Sequence, residues 1–276
     1  MLNDQPPFPR DLTMSEDSNA SVLEVRTYFV RGRNALVARA DFEPLYIDYY
    51  LHRADHGLQY TNEQDAMLKD ALAGLTLHLA SRPQDENCGW TMNFQKPAIN
   101  LFVTGNTRPG NIAGRVFTDD VRDMGANIFS AQTTRIGHAA QQSLVQVEGN
   151  QVLSCVEQYY QQSEQRIARF FRHSEEDIAM ISSQPDCDEA WLAALTEDDV
   201  RVLDQKETLS LLETRRYIWK CGCTVDRLYP ILAKLSPEAL KEAFGDDEVM
   251  TVQCPRCGAR YRAAKEQFEA WQAKAS

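Results

Sequence analysis

The sequence predicts an α+β fold in which a mainly antiparallel sheet packed with helices is followed by a helical linker and a small cysteine-rich domain. Short β-prone segments between Gly, Pro and Asn turns fill residues 88–147, and helically spaced apolar residues flank them. Of the 7 cysteines, four lie in about the last fifth of the chain. We therefore expect a core domain in residues 21–184, an acidic linker in residues 185–218 and a C-terminal domain in residues 219–276.

The composition limits the classes of partner. The 276 residues carry a net charge of -11, and the sequence pI is near 5.0. Nucleic acids and anionic membranes attract basic surfaces, so neither is expected as a partner. No stretch approaches the ~18 consecutive apolar residues of a membrane span. Residues 1–20 are polar and acidic without the apolar core of a secretory signal, so we expect a disordered tail on a cytoplasmic protein.

The first elements follow from turn and capping signals. Two β-prone runs on either side of a Gly-Arg-Asn turn predict a hairpin within residues 22–42. A helix is expected next and should stop at Gly57. Thr61 and Gln64 form a capping-box pattern at the start of a second helix. The apolar residues of that helix fall on one face, namely Met67, Leu68, Ala71, Leu72, Leu75 and Leu79.

The middle of the chain is expected to form the sheet. Residues 88–147 contain five short β-type segments. The glycine-rich residues 105–114 should form a hairpin turn, because they lack the Gly-Lys-Ser/Thr ending of a phosphate loop. A helix is predicted from Gln151 to Phe171, and a further strand is predicted before Pro185.

Residues 185–218 differ in composition from the preceding domain. They contain nine acidic and four basic residues, and their apolar residues have a thin helical spacing. Two alternatives remain open, a weakly packed connector and a well-packed helical layer. We hypothesise that the helical face around Trp191, Leu192, Leu195 and Val200 lies against the sheet and uncovers it when the cysteines are oxidised.

The last domain has clear local signals. Ser236 before Pro237, with Gly245 eight residues later, predicts a short helix with standard caps. The segments EVMTVQ and ARYRA predict a β-hairpin, and Cys254 and Cys257 lie at its tip.

Four cysteines of this domain form two close pairs. Cys221 and Cys223 are separated by one glycine, and Cys254 and Cys257 follow after about thirty residues. A disulfide across one residue closes a small, strained ring, whereas a metal tolerates this spacing. Zinc binds four thiolates in a tetrahedron, and a C-x-x-C knuckle supplies two of them. We predict one Zn²⁺ per chain on these four residues, and an iron–sulfur cluster is the alternative.

The C-x-C pair also indicates redox chemistry. Oxidants attack thiolates, and zinc holds all four sulfurs in this form. Three basic residues lie beside the ligands in the sequence and could steady their charge, namely Lys220, Arg256 and Arg260. Oxidation would join Cys221 to Cys223 and Cys254 to Cys257, expel the metal and unfold a domain of this size. The strained C-x-C disulfide would then be easily reduced.

The cysteine spacing resembles that of the heat shock protein 33 family, whose members are redox-regulated, ATP-independent holdase chaperones. Residues 29–32 (FVRG) resemble the early strand of the family. Residues 90–105 and 111–116 resemble its central hairpins, and residues 152–165 resemble its helix ending in S-E-Q. The resemblance covers about residues 25–261, and the four-cysteine motif is its most specific part.

This resemblance implies a function as well as a fold. Cys221, Cys223, Cys254 and Cys257 would be both the zinc ligands and the redox switch, and residues 185–218 would be the linker. Oxidation would unfold the linker and the zinc domain together. The oxidised form would dimerise and bind unfolding client proteins, without being an enzyme. The client-binding residues are not readable from the sequence.

Three features depart from the family pattern. The linker is shorter by a dozen or more residues and lacks part of its strand region, and residues 166–169 (RIAR) replace the expected proline–threonine after S-E-Q. Pro230 interrupts the helix expected after the C-x-C pair, so this helix should start late or kink. These departures leave open whether the chain switches or is partly active when reduced.

Two other functions compete with the chaperone. The first is an interaction module with a purely structural zinc knuckle. A nucleic-acid adaptor of this kind is disfavoured, because residues 219–276 carry nine basic and eight acidic residues. The second is a thiol oxidoreductase using C-P-R-C, which would need this motif at a strand-to-helix junction rather than in a hairpin.

Other candidate groups have ordinary interpretations. Asp48, His52 and His56 share a helix face but lack a clear fourth metal ligand, so solvated or capping histidines are expected. Cys88 should lie inert in a loop, and Cys187 is expected to be a bystander in the linker.

Overall fold

The structure is a computed structural model that describes residues 21–245 and 247–275. The predicted disordered tail, residues 1–20, lies outside the described residues. Ten strands form one large sheet. These strands are β1 (Leu23–Val30), β2 (Ala35–Asp41), β3 (Glu86–Gln95), β4 (Ala98–Asn106), β5 (Asn111–Phe117), β6 (Asn127–Arg135), β7 (Gln141–Val147), β8 (Ala168–Arg172), β9 (Asp177–Ser183) and β10 (Leu209–Trp219).

The sheet consists of two antiparallel halves that meet at β10. The strand order is β7-β6-β3-β4-β5-β10-β1-β2-β9-β8. Strand β10 pairs antiparallel with β1 along most of its length. Its contact with β5 is parallel and short, since only Ile218 and Trp219 pair with Asn111 and Ile112. The last two residues of β10 therefore close the sheet between its halves.

Three helices cover the core side of the sheet, namely α1 (Glu43–Asp55), α2 (Asn62–Ala80) and α3 (Val152–Tyr159). The predicted capping box of Thr61 and Gln64 is present at the start of α2. All six apolar residues predicted for its core face are buried, which confirms that expectation. None of the helices in the described part of the chain is long and apolar enough to cross a membrane.

The prediction of a helix through Phe171 is wrong beyond Glu164. A short π-helical turn follows α3, and Gln165 then adopts a left-handed backbone with φ 53°. This conformation ends the helix, because it breaks the i to i−4 hydrogen-bond ladder. The next residues form β8, which pairs with β9. Cys88 also differs from its prediction in position, since it lies buried in β3 rather than in a loop.

The linker packs closely on the sheet. Its helices are α4 (Glu189–Ala194), α5 (Glu197–Arg201) and α6 (Leu203–Lys206). Their apolar side chains form one buried cluster with the outer face of β1, β2, β8 and β9. The hypothesis that the face around Trp191, Leu192, Leu195 and Val200 lies against the sheet is confirmed, and so is the alternative of a well-packed layer.

The predicted helical character of the linker is wrong for its last ten residues. Helix α6 ends at Lys206, and the chain then enters β10. Residues 209–218 form a strand rather than a helix because their backbone lies beside β1 and hydrogen-bonds to it as an antiparallel strand. Thr214, Tyr217 and Ile218 have the branched or aromatic side chains that suit a strand.

The C-terminal unit is formed by α7 (Val225–Leu232), α8 (Pro237–Phe244), the hairpin β11 (Val249–Gln253) and β12 (Arg260–Ala264), and α9 (Lys265–Ala275). The predicted hairpin and the caps of α8 are confirmed. Helix α7 does not start late, because Thr224 caps it immediately after the C-x-C pair, and Pro230 lies inside it.

A glycine at the β10 seam gives a test of this topology. Gly110 has φ +87°, and a Cβ there would lie 2.0 Å from the carbonyl oxygen of Arg216. Gly137 has a similar φ of +78° but open space around it. Gly137→Ala should therefore cost only the left-handed strain of about 1–2 kcal/mol. Gly110→Ala should cost about 1–3 kcal/mol more, because the backbone of β10 cannot yield without losing its pairing with β5.

Urea unfolding of both variants measures this difference in the free energy of unfolding. Equal losses for Gly110→Ala and Gly137→Ala would contradict the close approach of residue 110 to β10.

Candidate metal centre

Two separate segments bring the four cysteines together. Cys221 and Cys223 follow directly after β10, and Cys254 and Cys257 lie in the turn between β11 and β12. Gly222 allows the tight C-x-C bend, with φ +69°. The main chain of the second turn is held by hydrogen bonds from the amide of Gly258 to the carbonyl of Cys254 and from the amide of Cys254 to the carbonyl of Ala259.

The sulfur positions fit a tetrahedral metal ion. All four Sγ atoms lie within 4.8 Å of one another. The Sγ atoms of Cys221 and Cys254 are 3.8 Å apart, and those of Cys223 and Cys257 are 3.5 Å apart. Disulfide sulfurs would be about 2.05 Å apart. The edge of a tetrahedron with zinc–sulfur bonds of about 2.3 Å is about 3.8 Å, so the spacing matches ligands of one ion.

The charges of the cluster also favour a cation. Hydrogen bonding to Cys254 and burial, together with the charge of neighbouring thiolates, raise the pKa of Cys221 to about 12. A thiol in this position keeps its proton unless a positive charge enters the group. A metal ion among the four sulfurs supplies this charge and stabilises all of them as thiolates.

Comparisons with known proteins agree with this geometry. A family model described as Hsp33 protein matches residues 172–264, which include all four cysteines. A 33 kDa chaperonin of Edwardsiella ictaluri is 23% identical over 228 residues, which are 71% of this chain and 78% of that protein. A 33 kDa chaperonin of Pectobacterium atrosepticum is 25% identical over 146 residues, 44% of this chain and 50% of that protein.

The fold has a counterpart among solved structures. The crystal structure of the 33 kDa chaperonin of Thermotoga maritima, a heat shock protein 33 homologue, superposes with a TM-score of 0.68. The superposition covers 92% of this chain and 98% of that one at 14% sequence identity, which establishes a shared fold. The chain is therefore similar to the heat shock protein 33 family in the sequence of residues 172–264 and in its fold.

The core domain holds the C-x-x-C turn by its main chain. His52 on α1 donates through Nε2 to the carbonyl of Cys257 at 3.0 Å, and His56 accepts at Nδ1 from the amide of Arg260 at 3.2 Å. Arg115 on β5 donates to the carbonyl of Cys254 at 2.9 Å. Burial lowers the pKa of His52, which keeps its ring neutral at neutral pH.

The sequence missed this role of the two histidines. They were expected to be solvated or capping, and instead they contact the turn that carries two cysteines. Asp48, the third member of that helix face, accepts a hydrogen bond from the amide of Ser21. Arg115 gave no signal at all, because its partner lies 139 residues away in the chain. Only the i, i+4 spacing of the histidines was available as a clue.

An aromatic group ties the first cysteine pair to α1. Trp219 is the last residue of β10 and lies two positions before Cys221. Its ring centroid is 5.3 Å from that of Tyr49 and 5.2 Å from that of His52. Such contacts between rings add about 0.5–1.5 kcal/mol beyond area burial. A displacement of Cys221 would therefore disturb the packing of α1.

The remaining cysteines do not join the cluster. Cys88 and Cys155 are buried, and desolvation raises the pKa of both thiols, that of Cys155 to about 11. Both are therefore poor nucleophiles. Cys187 is half-buried at the start of the linker, against the cluster under α4.

Tyr261 gives a test of the metal centre. Its hydroxyl lies 3.2 Å from Sγ of Cys223 and donates to the carbonyl of the same residue at 3.0 Å. Groups of this kind orient a ligand, and their loss typically weakens metal affinity about 10–100-fold. Tyr261→Phe should therefore lower zinc affinity within that range, measured by competition with a coloured chelator.

Tyr229→Phe is a matched control, because Tyr229 lies in the neighbouring aromatic cluster of α7 and α9. Zinc affinity unchanged in Tyr261→Phe, or lowered equally in both variants, would refute the orienting role.

Proposed function

We propose that this chain is a redox-regulated, ATP-independent holdase chaperone whose four cysteine thiolates bind one Zn²⁺ ion. The observation that carries the proposal is the convergence of four free thiols at tetrahedral spacing, directly after the strand that follows the linker. The names of the relatives, 33 kDa chaperonin, support the chaperone class. The protein would act by binding other proteins rather than by catalysis.

Zinc is the metal that we favour. Four thiolates in a tetrahedron are a closed structural set with no open position for a substrate. An iron–sulfur cluster uses the same four ligands but needs room for its inorganic sulfides. Sulfurs within 4.8 Å of one another leave space for a single ion. The bound ion would keep the sulfurs as thiolates.

Oxidation would then switch the centre. A two-electron oxidant such as hydrogen peroxide converts two thiolates into one disulfide and is itself reduced to two hydroxide ions. We propose that the final disulfides are Cys221–Cys223 and Cys254–Cys257. Because disulfide formation removes all four ligands, the metal would be released. The C-terminal unit would then lose the folding free energy that metal binding supplies.

The strand β10 offers a route from the metal centre to the linker. Loss of the metal centre would free Cys221. Because Trp219 lies two residues before Cys221, its packing against Tyr49 and His52 would then loosen. Trp219 is also one of the two residues that pair β10 with β5. Loosening of β10 would release α6 and α4 upstream of it.

The surface beneath the linker has the composition of a client-binding surface. The linker covers Val30, Val37, Phe171 and Ile181, together with smaller apolar residues of the same sheet face. An apolar patch of this kind, once exposed, binds the apolar segments of unfolding proteins. We propose that oxidised chains expose it, pair as homodimers and hold unfolded or oxidatively damaged cytoplasmic proteins there.

The central prediction concerns client aggregation. The oxidised protein should suppress light scattering of a heat-unfolded client protein, whereas the reduced, zinc-loaded protein should not. Hypochlorite, or peroxide with mild heat, provides the oxidation. Suppression by both forms would indicate a constitutive chaperone whose short linker does not shield the surface. Suppression by neither would refute the proposal and favour an interaction module with a structural zinc knuckle.

Arg169 gives a second test, aimed at the linker alone. Its Nη1 donates to the carbonyls of Leu192, Ala193 and Leu195 at 2.8, 3.0 and 2.8 Å, which closes the C-terminal end of α4. Hydrogen bonds to charged groups contribute about 1.5–3 kcal/mol. Arg169→Gln should therefore release the linker more easily and lower the oxidant concentration needed for activity.

The control is Arg201→Gln, which removes the same charge from an exposed position on α5. Limited proteolysis of the linker and Trp191 fluorescence report its release. If Arg169→Gln and Arg201→Gln need the same oxidant concentration for activity, the hydrogen bonds from Arg169 to α4 do not set that concentration.

A further inference from the structure

A cleft lies beside the metal centre, between the core sheet and the C-terminal unit. Its volume is about 560 Å³. The ends of β3, β4 and β5 form one wall with polar side chains, among them Asn87 and Thr104. The C-x-C segment, the start of α7 and the C-x-x-C turn form the other wall.

The cleft is positively charged although the chain as a whole is acidic. Lys220, Arg227 and Arg256 line it, and its lining contains no Asp or Glu. None of the three forms a salt bridge within the described ranges, in a chain of net charge -11. Arg227 donates to the carbonyl of Gly222 at 2.6 Å, and Arg256 reaches the hydroxyl of Thr104 at 3.5 Å. These neutral partners leave the positive charge uncompensated.

A divalent ion held by four thiolates carries a charge of about −2. The three cations of the cleft exceed that charge, so balancing the metal centre does not account for all of them. Since cationic clefts focus the field and concentrate anions, the surplus favours an anionic ligand.

The cleft reaches one sulfur of the four. Cys221 lines it, whereas Cys254 and Cys257 are buried. Cys223 lies outside the lining, and the hydroxyl of Tyr261 lies against its sulfur. A reagent that enters this cleft therefore meets Cys221 before any other ligand of the centre.

We propose that the cleft binds small anionic disulfides and directs them to Cys221. The Cys221 thiolate attacks one sulfur of the disulfide, a mixed disulfide forms on Cys221, and the other half leaves as a thiolate. A second protein thiolate then displaces the remaining half, so that two protein thiolates supply the two electrons. This inference rests on the proposed redox role of the centre and adds the class of molecule that would trigger it.

The experiment compares two aromatic disulfides on the zinc-loaded, full-length protein. One is the dianion dithiobis(nitrobenzoate), and the other is the neutral dithiodipyridine. Each rate at Cys221, followed by peptide mass spectrometry, is divided by the rate of the same reagent with a neutral free cysteine derivative. We expect the anionic reagent to be favoured about tenfold at low salt. The preference should vanish near about 1 M salt, where the Debye length is about 3 Å.

Substitutions test the charges directly. Lys220→Gln combined with Arg256→Gln should remove most of the preference, whereas Lys241→Gln, on the exposed side of α8, should keep it. Cys187 is an internal control, because the charges of Glu189 and Asp188 beside it disfavour an anion. Zinc content and thermal unfolding show whether a variant is folded, and the salt dependence of the unsubstituted chain needs no variant.

A normalised rate ratio near one at low salt, or first modification of Cys187 by the anionic reagent, would overturn the inference. These rates are measured without a client protein. If the protein shows the anionic preference but does not suppress aggregation, the inference about the cleft therefore stands and the chaperone function is refuted.

Discussion

The position of β10 is the constraint on which the other parts of this protein depend. The strand runs antiparallel to β1, touches β5 through only two residue pairs and ends two residues before Cys221. The linker precedes it and the metal centre follows it. One strand therefore connects the sheet, the linker and the cysteine cluster, and its pairing with β5 is the shortest in the sheet.

The metal centre is attached to the core through main-chain atoms. Three core side chains, His52, His56 and Arg115, hydrogen-bond to the backbone of the turn that carries Cys254 and Cys257. Such contacts exist only while this turn keeps its shape. Because bound metal would fix that shape, the attachment of the C-terminal unit to the core would depend on the redox state of four sulfurs.

The linker is held mainly by burial of apolar side chains. Leu192 is fully buried, and Leu195, Val200 and Leu203 are nearly so. Burying a side chain of this size contributes about 1.5–3 kcal/mol. Arg33 pairs with Asp188 before α4 and with Glu207 after α6, but these groups are only half-buried, so solvent screens the pairs and they contribute little. The same apolar contacts that hold the linker would form the client surface after its release.

The sequence by itself determined the features that depend on neighbours in the chain. The caps of α2 and α8, the hairpin of β11 and β12 and the two cysteine pairs were all predicted, because each depends on a few adjacent residues. Tertiary structure decided the rest. Residues 209–218 became a strand because β1 offered a place for pairing, and residues 168–172 did so because of β9. The contacts of Arg115 and His52 span 139 and 205 residues, a separation at which no local pattern carries information.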